Sequence, residues 1–174
     1  MLPASFRVLL QEKEIRSRIT ALGARIDADF PPGPICLVGV LKGACFFLAD
    51  LARALSHPVR IDFIGVSSYG MGSSSTGGVR LTKDLDMDIA GQDVLLVEDI
   101  VDSGITLSWV LRLLEQRRPR TLRAVVLLDK ACARCRPVTV DYAGFRIPNQ
   151  FVVGYGLDYA EDYRNLKDIC VIET

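Results

Sequence analysis

Residues 93–107, DVLLVEDIVDSGITL, combine a buried strand, three acids and a small polar turn in one short stretch. The apolar run at 94–97 is typical of a strand that is buried on both faces of a parallel sheet. Glu98 and Asp99 follow this run directly, and Asp102 comes three residues later. Because ligands of parallel sheets bind beyond the carboxyl ends of the strands, we expect these acids to face a ligand.

The turn after the third acid carries groups that suit a phosphate. Ser103, Gly104 and Thr106 supply two hydroxyls and a close backbone approach at the start of an amphipathic helix. Ordinary helix capping is the alternative interpretation, since acids, Ser, Thr and Gly are common at helix starts. Two adjacent carboxylates at a buried strand end are costly without a metal or hydroxyl partner, so the stretch favours a sugar-phosphate site.

Strand and helix patterns alternate outward from this stretch. Such alternation predicts an α/β fold in one domain, with a central, mostly parallel sheet flanked by helices. The segment at 67–78, SSYGMGSSSTGG, is too poor in apolar residues to join a core and is predicted to be a mobile loop. The predicted helices cover 10–29, 44–55 and 106–116, and the predicted strands cover 35–41, 58–66, 79–85, 94–97, 122–128, 140–146, 150–154 and 169–172.

Composition limits the possible partners. The 21 basic and 21 acidic residues cancel, which argues against nucleic acid or an anionic membrane surface as a partner. No apolar run reaches the length of a membrane span, and the odd count of 5 Cys indicates reduced thiols, so a cytoplasmic protein is expected. The hydrophobic content of 49% before glycine is counted is high and predicts a subunit interface in a homo-oligomer, either a dimer or a tetramer.

Several stretches together resemble the type I phosphoribosyltransferases, and most specifically their purine branch. The resemblance extends from 38 to 172 and implies a core of roughly 10–135 with a small hood built from the N-terminal residues and roughly 136–174. It also implies transfer of the phosphoribosyl group of phosphoribosyl pyrophosphate (PRPP) to a 6-oxopurine base, with Mg²⁺ as cofactor. The stretches are VGVLKGACFFLADL (38–51), SSYG (67–70), VEDIVDSGITL (97–107), LLDKACAR (127–134) and FVVGYGLDYAEDYRNL (151–166).

The resemblance assigns the PRPP side of the site to matching positions. Asp102 matches the general base that faces the purine ring. Glu98 and Asp99 match the pair that holds the ribose hydroxyls and Mg²⁺, and Asp158 matches an acid that holds a second Mg²⁺. In the family, the first peptide bond of the pyrophosphate-binding turn is cis. The other implied contacts are Ser103, Gly104, Ile105 and Thr106 for the 5′-phosphate, and Leu41, Lys42, Gly43 and Arg164 for pyrophosphate.

The purine side and the closing loop are assigned in the same way. Lys130 matches the contact to the 6-oxo group, and Phe151 matches the aromatic ring that stacks on the base. Val152 matches the residue whose carbonyl meets position 2 of the ring, and Asp158 is implied as a further purine contact. The Ser68–Tyr69 pair matches the start of a loop that closes over the site.

Two alternatives to a hypoxanthine or guanine enzyme stay open. A xanthine-preferring phosphoribosyltransferase is compatible with Lys130 and the Val152 carbonyl. A regulatory protein that binds PRPP or nucleotides without turnover is the alternative from another class. The presence of Asp102 and Phe151 favours an enzyme, since regulatory relatives can lose the base acid or the base-recognition block.

Overall fold

The computed structural model describes residues 5–69 and 78–173. Within these ranges the predicted alternation of strands and helices is present. The elements in chain order are β1 (Ser5–Leu10), α1 (Glu12–Asp29), β2 (Ile35–Leu41), α2 (Cys45–Ala54), β3 (Val59–Tyr69), β4 (Gly78–Lys83), β5 (Asp93–Val101), α3 (Ile105–Glu115), β6 (Thr121–Asp129), a 3-10 turn (Ala131–Ala133), β7 (Tyr142–Arg146), β8 (Val152–Val153) and β9 (Ile169–Glu173).

A six-stranded sheet in the order β4-β3-β2-β5-β6-β7 forms the centre of the molecule. All neighbouring strands in it are parallel except β3 and β4, which are antiparallel. Strands β2, β5 and β6 therefore end at the same edge of the sheet. Helix α3 begins at this edge, directly after the acids of β5, and the predicted fold class is confirmed.

Helices cover both faces of the sheet and explain the continuous apolar runs of its central strands. Leu95 and Val97 pack into the core formed with α1 and α2. Val94 and Leu96, which point to the opposite face, pack into the core formed with α3. Both faces of β5 are therefore closed, and only the carboxyl edge of the sheet is free to form a site. Among the described residues, no helix is long and apolar enough to cross a membrane.

A small antiparallel sheet of β1, β9 and β8 joins the two ends of the chain, and we call it the hood. Its composition differs from the expected boundary. The strand at Tyr142–Arg146, expected within the hood at 136–174, pairs in parallel with β6 and forms the edge of the central sheet. The fully buried ring of Tyr142 explains the difference, because its hydroxyl accepts a hydrogen bond from Arg123 of β6 at 2.6 Å.

The segment predicted as a loop at 67–78 begins as a strand instead. Residues 67–69 continue β3 and pair with β4, with Ser67 opposite Arg80. A polar sequence is compatible with a strand here because β4 is an edge strand of alternating exposure, which needs no continuous apolar run. Ser68 and Tyr69 thus lie at the end of β3. Residues 70–77 lie outside the described residues, and the closing role of the Ser68–Tyr69 pair stays a prediction.

A buried carboxylate at the start of β5 links the stability of this sheet to pH. Asp93 accepts hydrogen bonds from Arg120 Nε at 2.9 Å and from Thr121 Oγ1 at 3.0 Å. The Arg120 hydrogen bond holds the pKa of Asp93 below its ordinary value of 3.8, although burial acts in the opposite direction. A lowered pKa stabilises the fold above the pKa of the unfolded chain, and this stability is lost as the pH falls through the folded value.

Asp93→Asn is therefore expected to lower the melting temperature at pH 7 by roughly 3–6 °C, as the loss of a charge-assisted hydrogen bond predicts. Below pH 4 the difference from wild type is expected to shrink, because the wild-type carboxylate becomes protonated. Thermal unfolding followed by circular dichroism from pH 3 to pH 8 measures both effects. Glu115→Gln, which removes one charge from an exposed position, serves as the control. A constant difference at every pH would contradict the linkage.

Candidate active site

The carboxyl edge of the central sheet opens into a cavity of about 530 Å³. It brings together residues that are far apart in the chain, because β2 and β5 are adjacent, in-register parallel strands. A smaller cavity of about 250 Å³ adjoins it around the start of α3. Predicted site residues in the larger cavity are Leu41, Lys42, Gly43, Glu98, Asp99, Thr106, Asp158 and Arg164, and those in the smaller one are Glu98, Asp102, Ser103, Gly104 and Thr106.

Two adjacent acids lie at the floor of the larger cavity. Glu98 is only 8% exposed, and its Oε2 has no hydrogen-bond partner among the described residues. Burial, reinforced by the charge of Asp99, raises the pKa of Glu98 well above its usual range. Burial also raises the pKa of Asp99, against the hydrogen bond that its Oδ1 accepts from Ile100 N–H at 2.8 Å. A cation or hydroxyl groups placed above the pair would relieve this cost.

The polar turn between β5 and α3 has the shape of an anion cradle. Gly104 precedes the helix with φ +83°, a left-handed conformation that favours glycine. Ser103 Oγ accepts a hydrogen bond from Ile105 N–H at 3.3 Å, so the hydroxyl organises the turn. The first N–H groups of a helix have no partner within the helix, and Thr106 and Leu107 of this first turn line the smaller cavity. The turn therefore suits a phosphate group.

The turn after β2 faces the same acids from the neighbouring strand. The peptide bond between Leu41 and Lys42 is cis, as the family resemblance implied. Gly43 packs against Asp99 so closely that a Cβ atom at this position would overlap the carboxylate. Lys42 extends to the other side of the cavity, where its Nζ donates to Glu161 Oε2 at 2.7 Å. The turn thus connects the acids at the floor with the cations at the rim.

Arg164 lies at the rim and is held from three sides. Its guanidinium donates to the Gly156 carbonyl at 2.8 Å, and its Nη2 pairs with Asp158 Oδ1 at 2.9 Å and with Glu161 Oε1 at 3.3 Å. Asp158 also accepts the N–H of Glu161 on its other oxygen at 2.9 Å. Both oxygens of Asp158 are therefore engaged within the protein, and its role as a metal ligand stays a prediction.

Of the residues predicted to bind a purine, Lys130 is joined to the smaller cavity through Asp102. Lys130, at the end of β6, is buried, and its Nζ lies 3.5 Å from Oδ2 of the half-exposed Asp102 at the end of β5. Phe151 is 55% exposed and meets Tyr159 edge to face, with ring centroids 5.7 Å apart. Val152 is buried and pairs with β9 in the hood. Lys130, Phe151 and Val152 are not among the residues that line either cavity, and their purine contacts stay predictions.

Sequence reasoning missed two features of the site. The first is Glu161, which contacts both rim cations although an acid three residues before Arg164 looks like an ordinary surface residue. The second is the segment after β6, in which Arg134 pairs with Asp129 and the 135–136 N–H groups both donate to the Ser103 carbonyl at 3.0 Å. These bonds join the cradle to the purine side, and the short LLDKACAR motif carries no signal for them.

Comparisons with known proteins agree with this geometry. The family model described as "Phosphoribosyl transferase domain" matches residues 8–160. A hypoxanthine-guanine phosphoribosyltransferase of Mycobacterium avium is 53% identical over 172 residues, covering 95% of this chain and 85% of the relative. The protein of the same name from Bacillus subtilis is 44% identical over 167 residues, covering 96% and 93%.

The solved structures agree as well. A crystal structure of a hypoxanthine-guanine phosphoribosyltransferase from Bacillus anthracis superposes with a TM-score of 0.92 at 42% identity, and the match covers 96% of this chain and 98% of that one. Sequence and fold thus match over nearly the whole length of both proteins. The chain belongs to the phosphoribosyl transferase family, in its hypoxanthine-guanine phosphoribosyltransferase branch.

Proposed function

We propose that the protein transfers the 5-phosphoribosyl group of PRPP to hypoxanthine or guanine, giving IMP or GMP and pyrophosphate. Family membership supports the reaction class, and the names of the relatives support the bases. The observation that carries the proposal is the pairing of Lys130 with Asp102 at 3.5 Å, beside the cradle. One cation and one carboxylate are thereby presented side by side at the purine end of the site.

This pair fits one edge of a 6-oxopurine. The 6-oxo group and N7 lie on the same edge of the ring. Lys130, which can only donate, would bind the 6-oxo oxygen. Asp102 would accept the N7 proton as N9 attacks the anomeric carbon, which is the role of a general base. Adenine carries a 6-amino group, which is a hydrogen-bond donor. Adenine would therefore leave the Lys130 ammonium without an acceptor, and we expect it to bind poorly.

The cradle supports the other end of the same substrate. In the proposed complex, the 5′-phosphate accepts hydrogen bonds from the backbone of 103–106 and from the hydroxyls of Ser103 and Thr106. Ile105 would contribute only its backbone N–H, which would turn from Ser103 Oγ to the phosphate. Phe151 would stack on the base, since more than half of its surface is exposed. The ribose would then lie between the phosphate cradle at 103–106 and the residues that contact the base.

Glu98 and Asp99 fit the ribose hydroxyls and a hard divalent cation. The unpartnered Oε2 of Glu98 and the raised pKa values of both acids support this role, because buried carboxylates need a cation or hydroxyl donors to stay ionised. Two carboxylates are enough to hold Mg²⁺, because this ion keeps several waters and binds substrate oxygens. When bound, Mg²⁺ would supply charge neutralisation to the leaving pyrophosphate. Asp158 would join such a site only by releasing Arg164.

The rim cations complete the proposed reaction. Lys42 and Arg164 would hold the departing pyrophosphate, and the Gly43 turn would bring its backbone close to it. Catalysis would then consist of holding base and PRPP in line and stabilising developing charge, with one proton passing to Asp102. The chain's own groups supply each of these functions, except for the charge of the divalent cation.

The first experiment is a base panel with the purified full chain, PRPP and Mg²⁺. Hypoxanthine, guanine, xanthine, adenine and uracil are supplied separately, and nucleotide and pyrophosphate are quantified. We expect turnover with hypoxanthine or guanine and none with adenine or uracil. Turnover with xanthine above all others would favour the xanthine enzyme. PRPP binding by calorimetry without turnover of any base would favour the regulatory protein and contradict the proposal.

We also propose that the protein acts in the cytoplasm as a homo-oligomer, a dimer or a tetramer. The free thiols among the described residues support a reducing compartment. Large apolar side chains that remain exposed on the single chain support a subunit contact, since nearly half of each is accessible. These side chains are Val8, Phe46 and Ile61.

A further inference from the structure

Glu161 bridges the two cations at the rim of the site with a single carboxylate. Its Oε2 accepts a hydrogen bond from Lys42 Nζ at 2.7 Å, and its Oε1 lies 3.3 Å from Arg164 Nη2. Lys42 comes from the turn after β2, whereas Glu161 and Arg164 come from the segment after β8. The three side chains line the same cavity as Glu98 and Asp99. An internal anion therefore lies between the two cations that face this cavity.

The backbone around Glu161 adopts a conformation that its residue types disfavour. Tyr159 and Asp162 exchange backbone hydrogen bonds at 3.2 and 3.0 Å, which closes a tight turn. Its central residues, Ala160 and Glu161, have φ values of +52° and +71°. Two left-handed residues define a turn for which Asn and Gly are the usual choice. The Asp158 carboxylate, which accepts the Glu161 N–H at 2.9 Å, helps to hold the turn in place.

Backbone strain of this kind persists where surrounding contacts enforce it, and it is concentrated at functional sites. Here the strained turn places the Glu161 carboxylate between Lys42 and Arg164. Two carboxylate oxygens with one negative charge copy the hydrogen-bonding pattern of two phosphate oxygens. The carboxylate thus satisfies both cations as an anionic ligand would.

The contact is suited to displacement. The Lys42 and Glu161 side chains are 66% and 65% exposed, and exposed ion pairs contribute little to stability. Pyrophosphate carries more charge and more acceptor oxygens than one carboxylate. It can therefore replace Glu161 on both cations, while Arg164 remains anchored through its bond to the Gly156 carbonyl.

We propose that the Glu161 carboxylate is an internal competitor of pyrophosphate: it holds Lys42 and Arg164 until PRPP binds, gives way to the pyrophosphate group, and returns to the two cations as pyrophosphate leaves. This inference rests on the proposed function, because it takes Lys42 and Arg164 as the pyrophosphate contacts. It assigns Glu161 a part in product release that is separate from the transfer chemistry. Its consequence is that the protein binds pyrophosphate less tightly than its cations alone would allow.

The test is calorimetric binding of inorganic pyrophosphate, with Mg²⁺, to the full chain and to Glu161→Gln. The amide keeps the size of the side chain and removes its charge. We expect Glu161→Gln to bind pyrophosphate roughly twofold to fivefold more tightly, which is the range set by an exposed ion pair. The difference is expected to shrink as salt is added, because salt screens the competing pair. Glu115→Gln, at the far end of α3, removes the same charge away from the site and is expected to match wild type.

Unchanged or weaker pyrophosphate binding by Glu161→Gln would overturn the inference, and weaker binding would instead show that Glu161 only positions the cations. Steady-state inhibition by pyrophosphate is a second measurement. Glu161→Gln is expected to be inhibited at a lower pyrophosphate concentration than wild type. If wild type turns over PRPP but the variant binds no more tightly, only this inference fails. If wild type neither binds pyrophosphate nor turns over PRPP, the proposed function fails with it.

Discussion

Replacing Asp102 with Asn is expected to lower turnover of PRPP with hypoxanthine by about 10²- to 10⁴-fold, the usual contribution of a general base. PRPP binding is expected to stay within a few-fold of wild type. The amide has nearly the size of the carboxylate but cannot accept a proton from N7. Asp102 is 52% exposed, and the amide oxygen of Asn can still accept a hydrogen bond from the buried Lys130, so most of the folding energy is expected to be kept.

Two measurements separate a chemical role for Asp102 from a structural one. Turnover is followed in both directions, since the group that takes the proton during synthesis must return it during pyrophosphorolysis of IMP. Both rates are expected to fall by the same factor. PRPP binding by calorimetry and the melting temperature are measured on the same preparation, and both are expected to be close to wild type.

Asp162→Asn is the matched control for this prediction. Asp162 is exposed in the turn near the rim, and its side chain takes part in none of the hydrogen bonds or ion pairs described for this region. The control is expected to keep wild-type turnover. Unchanged turnover in Asp102→Asn would exclude the base role, and a large loss of stability would assign the residue to the fold instead.

The strand, the acids and the cradle could be predicted from sequence because their signals are local. An apolar run followed by Glu98, Asp99 and the Ser103–Thr106 turn specifies a strand end and a helix start within a few residues. The parallel sheet then follows from the alternation of strands and helices. These features do not depend on which distant segment packs against them, and the structure has them where the pattern predicts.

The remaining features depend on pairing between distant segments. Whether Tyr142–Arg146 joins the hood or the central sheet is decided by its contact with β6, which periodicity does not encode. The end of β3 pairs as a strand although its Ser-rich sequence resembles a loop, because an edge hairpin tolerates polar residues. Glu161 reaches Lys42 across 119 positions of sequence, through a turn with two left-handed residues that neither Ala nor Glu predicts.

Gly43→Ala is expected to lower kcat/KM for PRPP by about 100-fold or more, which is the cost of misplacing a reacting group by about 1 Å. A Cβ atom at position 43 would overlap Oδ2 of Asp99 and lie 2.6 Å from its Cγ. The turn has no room to move away, because the Gly43 carbonyl packs against Gly156 so closely that a Cβ atom at position 156 would overlap it. The methyl group must therefore displace the Asp99 carboxylate.

Displacing Asp99 affects the substrate more than the fold. The carboxylate would lose the Ile100 N–H bond and its place beside Glu98, and with them the proposed contact to ribose and Mg²⁺. The cost in stability is expected to be about 1–3 kcal/mol, the usual range for overpacking. Steady-state kinetics, calorimetric binding of PRPP with Mg²⁺, and thermal unfolding measure the three effects on one variant.

Gly91→Ala shows the effect of a new methyl group without a clash. No atom lies within 4 Å of a Cβ built at Gly91, but its φ of +69° is unfavourable for alanine. This control is expected to lose about 1–2 kcal/mol of stability through backbone strain and to keep full activity. The two substitutions thus separate activity from stability. Gly43→Ala is expected to lose chiefly activity, whereas Gly91→Ala is expected to lose only stability.

A double substitution tests whether the overlap with Asp99 is the cause. Asp99→Ala removes the carboxylate that the new methyl group would strike, so Gly43→Ala is expected to cost little further activity in that background. Residues in direct contact are expected to be strongly non-additive in this way. An equal loss in both backgrounds would mean that Gly43 acts through its own backbone, by direct approach to the substrate. The Asp99 overlap would then be a consequence of that approach and not the reason that this position requires glycine.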